Sequence, residues 1–111
     1  MYLSAESLDP TERRLYAQVR QMLTRAGLLR GSLVEMRRRC GKAGCRCTRS
    51  RRDQHRSLVL KIGENGRQRT IYIPPGWGDR VRTWVAHYAE IREVLEQLSR
   101  FCLKRVEREG R

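Results

Sequence analysis

The chain predicts an α+β fold: an N-terminal helix, a small three-stranded antiparallel sheet in the manner of a zinc ribbon, and a long C-terminal helix. Three observations lead there. Apolar residues recur at helical spacing near both ends, the middle holds two β-rich runs around Asn65-Gly66, and three cysteines crowd together just ahead of those runs. The 111 residues suit one domain, with a helical region over 7–30, a basic sheet over 31–76 and a long helix over 77–109. A core of that size is small, so a metal staple would add to its stability.

The first helix has a legible start. Asp9 reads as the N-cap, Pro10 as the first helical residue, and Glu12 stands where a capping box needs an acid. Leu8 precedes the cap as a hydrophobic staple. Leu15, Val19, Met22, Leu23 and Ala26 then form a helical stripe, best read as core, and Gly27 reads as the stop. Gly31 opens the next segment.

The sheet follows. Leu33 to Met36 reads as a short strand running into Arg37, Arg38 and Arg39. Ser57 to Ile62 reads as a second strand and Gln68 to Ile73 as a third, joined by a turn at Glu64-Asn65-Gly66. Pro74-Pro75-Gly76 ends the run.

The last helix is predicted from Asp79 to about Glu107. Val81, Trp84, Tyr88, Ile91, Leu95, Leu98 and Cys102 step by three and four, and Val85, Val94 and Phe101 widen the seam. A helix of that length is roughly 40 Å long at 1.5 Å per residue, more than a small sheet can cover. Its far half is therefore expected to pair with a second copy, giving a homodimer. His87 reads as an ordinary helix-surface residue and Cys102 as a small hydrophobe in the seam.

The chemistry concentrates in Cys40-Gly-Lys-Ala-Gly-Cys45-Arg-Cys47, with His55 eight residues on. Cys3His is an ordinary ligand set for structural Zn²⁺, which asks for four soft or borderline donors in a tetrahedron. In extended backbone, residues two apart point the same way, so Cys45 and Cys47 can share one ion. His55 is favoured as fourth ligand by proximity, with His87, Cys102 or a partner chain as alternatives. A disulfide across Cys-x-Cys would be strained, and an iron–sulfur cluster usually asks for four thiolates. The expected cofactor is Zn²⁺.

Charge points the same way. Net charge is +13, and residues 37–78 hold twelve Lys or Arg against two acids. The expected nucleic-acid-binding set is Arg37, Arg38, Arg39, Lys42, Arg46, Arg49, Arg51, Arg52, Arg56, Lys61, Arg67 and Arg69. Of the 25 basic residues, 22 are Arg, whose planar donor fork suits phosphate. A GC-rich genome would also favour Arg over Lys, but it would not cluster the charge.

Other classes find less support. No Ser/His/Asp order, Walker loop or paired carboxylates appear, and a zinc held by four protein groups has no open position, so no enzyme is expected. The first ten residues are mixed and acidic rather than a signal peptide, no apolar run spans a membrane, and the cysteines suit a reducing cytoplasm, at the nucleoid if DNA is bound.

The order Gly31-Ser-Leu-Val-Glu35, Arg39-Cys-Gly-Lys-Ala-Gly-Cys-Arg-Cys47, a histidine, a Gly-bearing hairpin, Arg69-Thr-Ile-Tyr-Ile-Pro74 and a Trp/Tyr-bearing helix resembles a family of small uncharacterised prokaryotic proteins with a Cys-Gly-Lys-x-x-Cys-x-Cys…His signature. The resemblance spans roughly residues 31–106. It implies a site at these cysteines and, because members often stand beside transposase and other mobile-element genes, a nucleic-acid role with a mobile-element protein as partner. Members usually carry His-Gly-Pro-Tyr where this chain has His55-Arg-Ser-Leu-Val-Leu60, so the aromatics of that segment are gone here.

Two functions emerge. The first is a zinc-stabilised nucleic-acid-binding protein, with DNA favoured over RNA, serving as accessory factor of a mobile element. The alternative is an oligomeric adaptor subunit that docks its basic segment on an acidic protein.

Overall fold

The computed structural model describes residues 7–38, 41–42, 44–46 and 55–110. Five elements follow in order: α1 (Pro10–Met22), β1 (Ser32–Arg38), β2 (His55–Glu64), β3 (Arg67–Tyr72) and α2 (Gly78–Glu109). The predicted α+β arrangement is thus observed, with one antiparallel sheet in the order β1-β2-β3. The chain divides into two compact units: the chain up to Leu28 with that from Ala86 onward, and Leu29–Val85. No helix among the described residues is long and apolar enough to cross a membrane.

In the helical unit, α1 begins as its sequence dictates. The Thr11 amide donates to Asp9 Oδ1 at 2.8 Å, and the Asp9 amide donates back to Glu12 Oε1 at 3.2 Å, completing the capping box. Met22 of α1 packs with Ile91, Val94 and Leu98 of α2 as a buried core, and Leu15 and Val19 lie against it. Glu12 is fully buried and is gripped by a bidentate guanidinium: Arg105 Nη1 donates to Oε2 at 2.8 Å and Nη2 to Oε1 at 2.5 Å. The hydrogen bonds from Arg105 hold the Glu12 carboxyl below its ordinary value, against the upward push of burial.

The helix α1 stops at Met22, earlier than the expected Gly27. The reason lies 65 residues away. His87 is buried, with Nε2 2.8 Å from the Met22 carbonyl oxygen and Nδ1 2.9 Å from that of Gly27. The Met22 carbonyl takes this bond and one at 3.3 Å from the Arg25 amide, three residues on, instead of continuing the α-helical ladder, and the Thr24 hydroxyl donates to the Gln21 carbonyl. His87 is therefore a clamp on the end of α1, not the surface residue expected from its polarity. Carbonyl oxygens only accept, so a ring nitrogen that carries a proton donates to the carbonyl beside it. Replacing His87 with Phe keeps the ring volume and removes both ring nitrogens. It should cost about 2 kcal/mol in denaturant unfolding, the scale of stranding buried polar groups, with His87→Gln losing less because its amide still donates.

In the sheet unit, the hairpin turn is as expected. Asn65 and Gly66 both take positive φ, 52° and 76°, as a two-residue turn between twisted strands requires. Register sets the faces. Leu33, Leu60 and Ile71 stand opposite one another on one face, and Val34, Val59 and Tyr72 on the other. Val59 and Leu60 are both buried, so each face contributes to packing. Gly31 has no room for a side chain: a Cβ there would stand 2.7 Å from Leu60 Cδ1. β2 and β1 run longer than predicted, because pairing continues from Ser32↔Lys61 to Arg38↔His55. The start of α2 belongs to this unit, with Val81 buried, the Trp77 and Trp84 rings in a T-shaped contact at 6.2 Å between centroids, and the Arg80 guanidinium 4.3 Å over the Trp77 ring.

The predicted seam of α2 divides. Val81, Ile91 and Leu98 are buried, and Trp84 and Tyr88 half-buried, but Leu95 and Cys102 are exposed. From His87 onward the buried positions are His87, Ile91, Val94 and Leu98, a face rotated from the straight seam. The helix bears two apolar faces, and a single periodicity count merged them.

Candidate metal and nucleic-acid site

The pairing Arg38↔His55 brings the end of β1 and the start of β2 side by side, so residues 39–54 form the connection between two paired strand ends. His55 opens β2, its backbone paired with that of Arg38. Cys45, half-buried, approaches it: Cys45 Sγ stands 3.4 Å from His55 Nε2. A strand terminus thus fixes the imidazole, and the returning connection brings a thiol to it. Gly44, just before Cys45, takes φ 78°, which a residue without Cβ reaches at no steric cost.

Two of the four expected ligands are therefore adjacent. Cys40 and Cys47 lie outside the described residues. Among the described residues, no group of three or more His, Cys, Asp or Glu gathers to hold an ion. His87 and Cys102, the alternative fourth ligands, belong to the helical unit, where His87 is committed to two carbonyls.

The cations fall into two groups. At the Cys45–His55 end stand Arg37 and Arg56, a cross-strand pair, with Lys42 and Arg46 exposed on the connection. At the other end stand Arg67 and Arg69 on β3, with half-buried Lys61 on β2. Arg56 and the Arg67↔Glu64 pair are eight residues apart along β2, roughly 27 Å at about 3.4 Å per residue. Arg37, Arg56, Arg69 and Arg67 share one face, but Leu33, Leu58, Leu60 and Ile71 occupy its middle. Among the described residues, the cations of this face thus gather at its two ends, with apolar residues between them. Arg39, Arg49, Arg51 and Arg52, and the side chain of Arg38, lie outside the described residues.

Two acids moderate these cations, Glu35 from outside the 37–78 count and Glu64 from within it. Glu35 Oε1 stands 3.7 Å from Arg37 Nε and 3.6 Å from Arg56 Nε, and Glu64 stands 3.6 Å from Arg69. Strand alternation could have revealed Glu35, since it lies two residues before Arg37 and so on the same face. These pairs are exposed, and exposed pairs contribute about 0–1 kcal/mol, too little to hold an arginine from a phosphate.

A family model described as a domain of unknown function (DUF6788) matches residues 7–83, over two thirds of the chain. No curated protein matches, and no solved structure matches.

Proposed function

The chain belongs to the family of the domain of unknown function DUF6788, and for this member we propose a zinc-stabilised nucleic-acid-binding function, with DNA favoured over RNA. The observation that carries it is the 3.4 Å approach of Cys45 Sγ to His55 Nε2 within the most basic stretch of the chain. Two ligands of one tetrahedral Zn²⁺, at about 2.3 Å for sulfur and about 2.0 Å for imidazole nitrogen, stand about 3.5 Å apart. The spacing is that of co-ligands, and Cys40 and Cys47 are the residues that would complete the set.

The metal would hold the connection in one shape. Fixing it lowers the entropy lost when its side chains meet phosphate. Arg37, Arg56, Lys42 and Arg46 then act as the primary contacts, joined by Arg38, Arg39, Arg49, Arg51 and Arg52 of the same segment, while Arg67 and Arg69 form a second group and Lys61 adds a cation on the opposite face of the sheet. The contacts are to backbone phosphate, so they position the protein without reading sequence. A place beside a mobile element rests on the resemblance of the cysteine segment, and the genomic neighbourhood tests it.

Titration of labelled duplex and single-stranded DNA at several salt concentrations tests the reading. Duplex affinity should fall with a log–log slope of about −0.9 per phosphate neutralised. Arg37→Ala with Arg56→Ala should flatten the slope by about two and weaken binding to all sequences alike. Arg67→Ala with Arg69→Ala should matter less. Absence of binding at low salt, or equal losses from both pairs, would favour an acidic protein as the partner.

A further inference from the structure

The far half of α2 carries an apolar stripe that is exposed among the described residues. Leu95 is 50% exposed, Leu103 55% and Val106 67%. With Ser99 and Cys102, also exposed, they lie at 95, 99, 102, 103 and 106, steps that keep to one helical face. That face is not the one packed on α1, which presents Ile91, Val94 and Leu98. It continues the line of Val81, Trp84 and Tyr88, whose first member is buried in the sheet unit.

We propose that this stripe pairs with the same stripe of a second copy, the two helices running antiparallel about a two-fold axis. Charge selects the direction. From Glu90 to Glu96, α2 carries three glutamates against one arginine; from Arg100 to Glu109, with Arg105 committed to Glu12, three cations stand against two glutamates. Parallel packing would set acid on acid and base on base, whereas antiparallel packing sets each half on its opposite. A two-fold contact must also be self-complementary. In the register that centres the stripe, Leu95 faces Val106 of the other copy, Ser99 faces Cys102, and Arg92 faces Glu109. The small residues at the centre let the helices approach, and the ion pairs close both ends. The contact is one helix wide, so it gives a reversible dimer, not an obligate one.

Sedimentation velocity of the full chain, free of nucleic acid, tests this across micromolar to near-millimolar concentration. The wild type should move from monomer to dimer. Leu95→Glu with Val106→Glu should weaken association by at least about tenfold, because each places a charge in an apolar contact. Leu103→Lys, a single change at an exposed position, should also weaken it. Arg92→Glu should loosen the dimer several-fold, and adding Glu109→Arg should restore it. A wild type of constant monomer mass overturns the proposal, and so does association untouched by these variants. A dimer that survives the Leu95 and Val106 changes but responds to the charge swap overturns the apolar contact.

Discussion

Purified protein should carry about one Zn²⁺ per chain, and Cys45→Ser or His55→Ala should release it. The expectation follows from a thiol and an imidazole 3.4 Å apart, with two further thiols in the same connection. Elemental analysis reads the result directly and separates zinc from iron. The consequences should be local at first. Site formation is coupled to folding, so loss of the ion removes order where the ligands attach. Hydrogen exchange should therefore rise at Arg37↔Arg56 and Arg38↔His55, next to the connection, and little at Glu64↔Arg67 beyond the far end of β2. Chelation of the wild type should reproduce the pattern, and zinc should reverse it. A folded protein with no metal, whose exchange ignores Cys45→Ser, would leave the 3.4 Å contact as a thiol–imidazole hydrogen bond and end the zinc reading. Nucleic-acid affinity should fall with the metal, because the same charges would then sit on an unconstrained segment.

The parts of this molecule that could be read from sequence are those set by near neighbours. The capping box of Asp9 and Glu12 spans three residues, and the Asn65-Gly66 turn spans two. Cys45 and His55 are ten residues apart, and ligand chemistry alone suggests their approach. What escaped reading depends on distant pairing. Nothing near His87 announces that the carbonyls of Met22 and Gly27 will receive it. Nothing in a seam count shows that α2 turns one face to α1 and leaves Leu95 outside. Net charge by segment likewise ignores register, and register puts Arg56 and the Glu64↔Arg67 pair at opposite ends of β2 while setting Glu35 beside Arg37. Glu12 shows both sides. Its capping role is local and legible, whereas its partner lies 93 residues away.

That pair should give the largest effect on stability of any single side chain in the helical unit. Glu12 is fully buried, and Arg105, still in touch with solvent, supplies two hydrogen bonds to its carboxylate. Removing the guanidinium leaves the buried carboxylate without its charge partner, and a typical domain has only about 5–15 kcal/mol of stability to lose. Arg105→Ala should therefore lower the unfolding midpoint severely at neutral pH. Glu12→Gln should cost less: it strands no buried charge, keeps an oxygen for the Asp9 amide, and leaves a guanidinium that water can reach. The pH dependence separates this account from simple loss of packing. Arg105 holds the Glu12 carboxyl below its ordinary value of 4.5. A depressed folded value means that the unfolded chain takes up the proton first as pH falls. The contribution of the pair is then full above 4.5 and is lost as pH falls below it through the folded value. In Arg105→Ala, the upward push of burial is opposed only by the hydrogen bond from the Asp9 amide, so acid costs that variant less than it costs the wild type. Denaturant unfolding across pH should find the gap between wild type and Arg105→Ala widest near neutrality and narrowing through the carboxylate range. A gap that stays constant into acid would assign the loss to packing of the Arg105 stem and not to its charge.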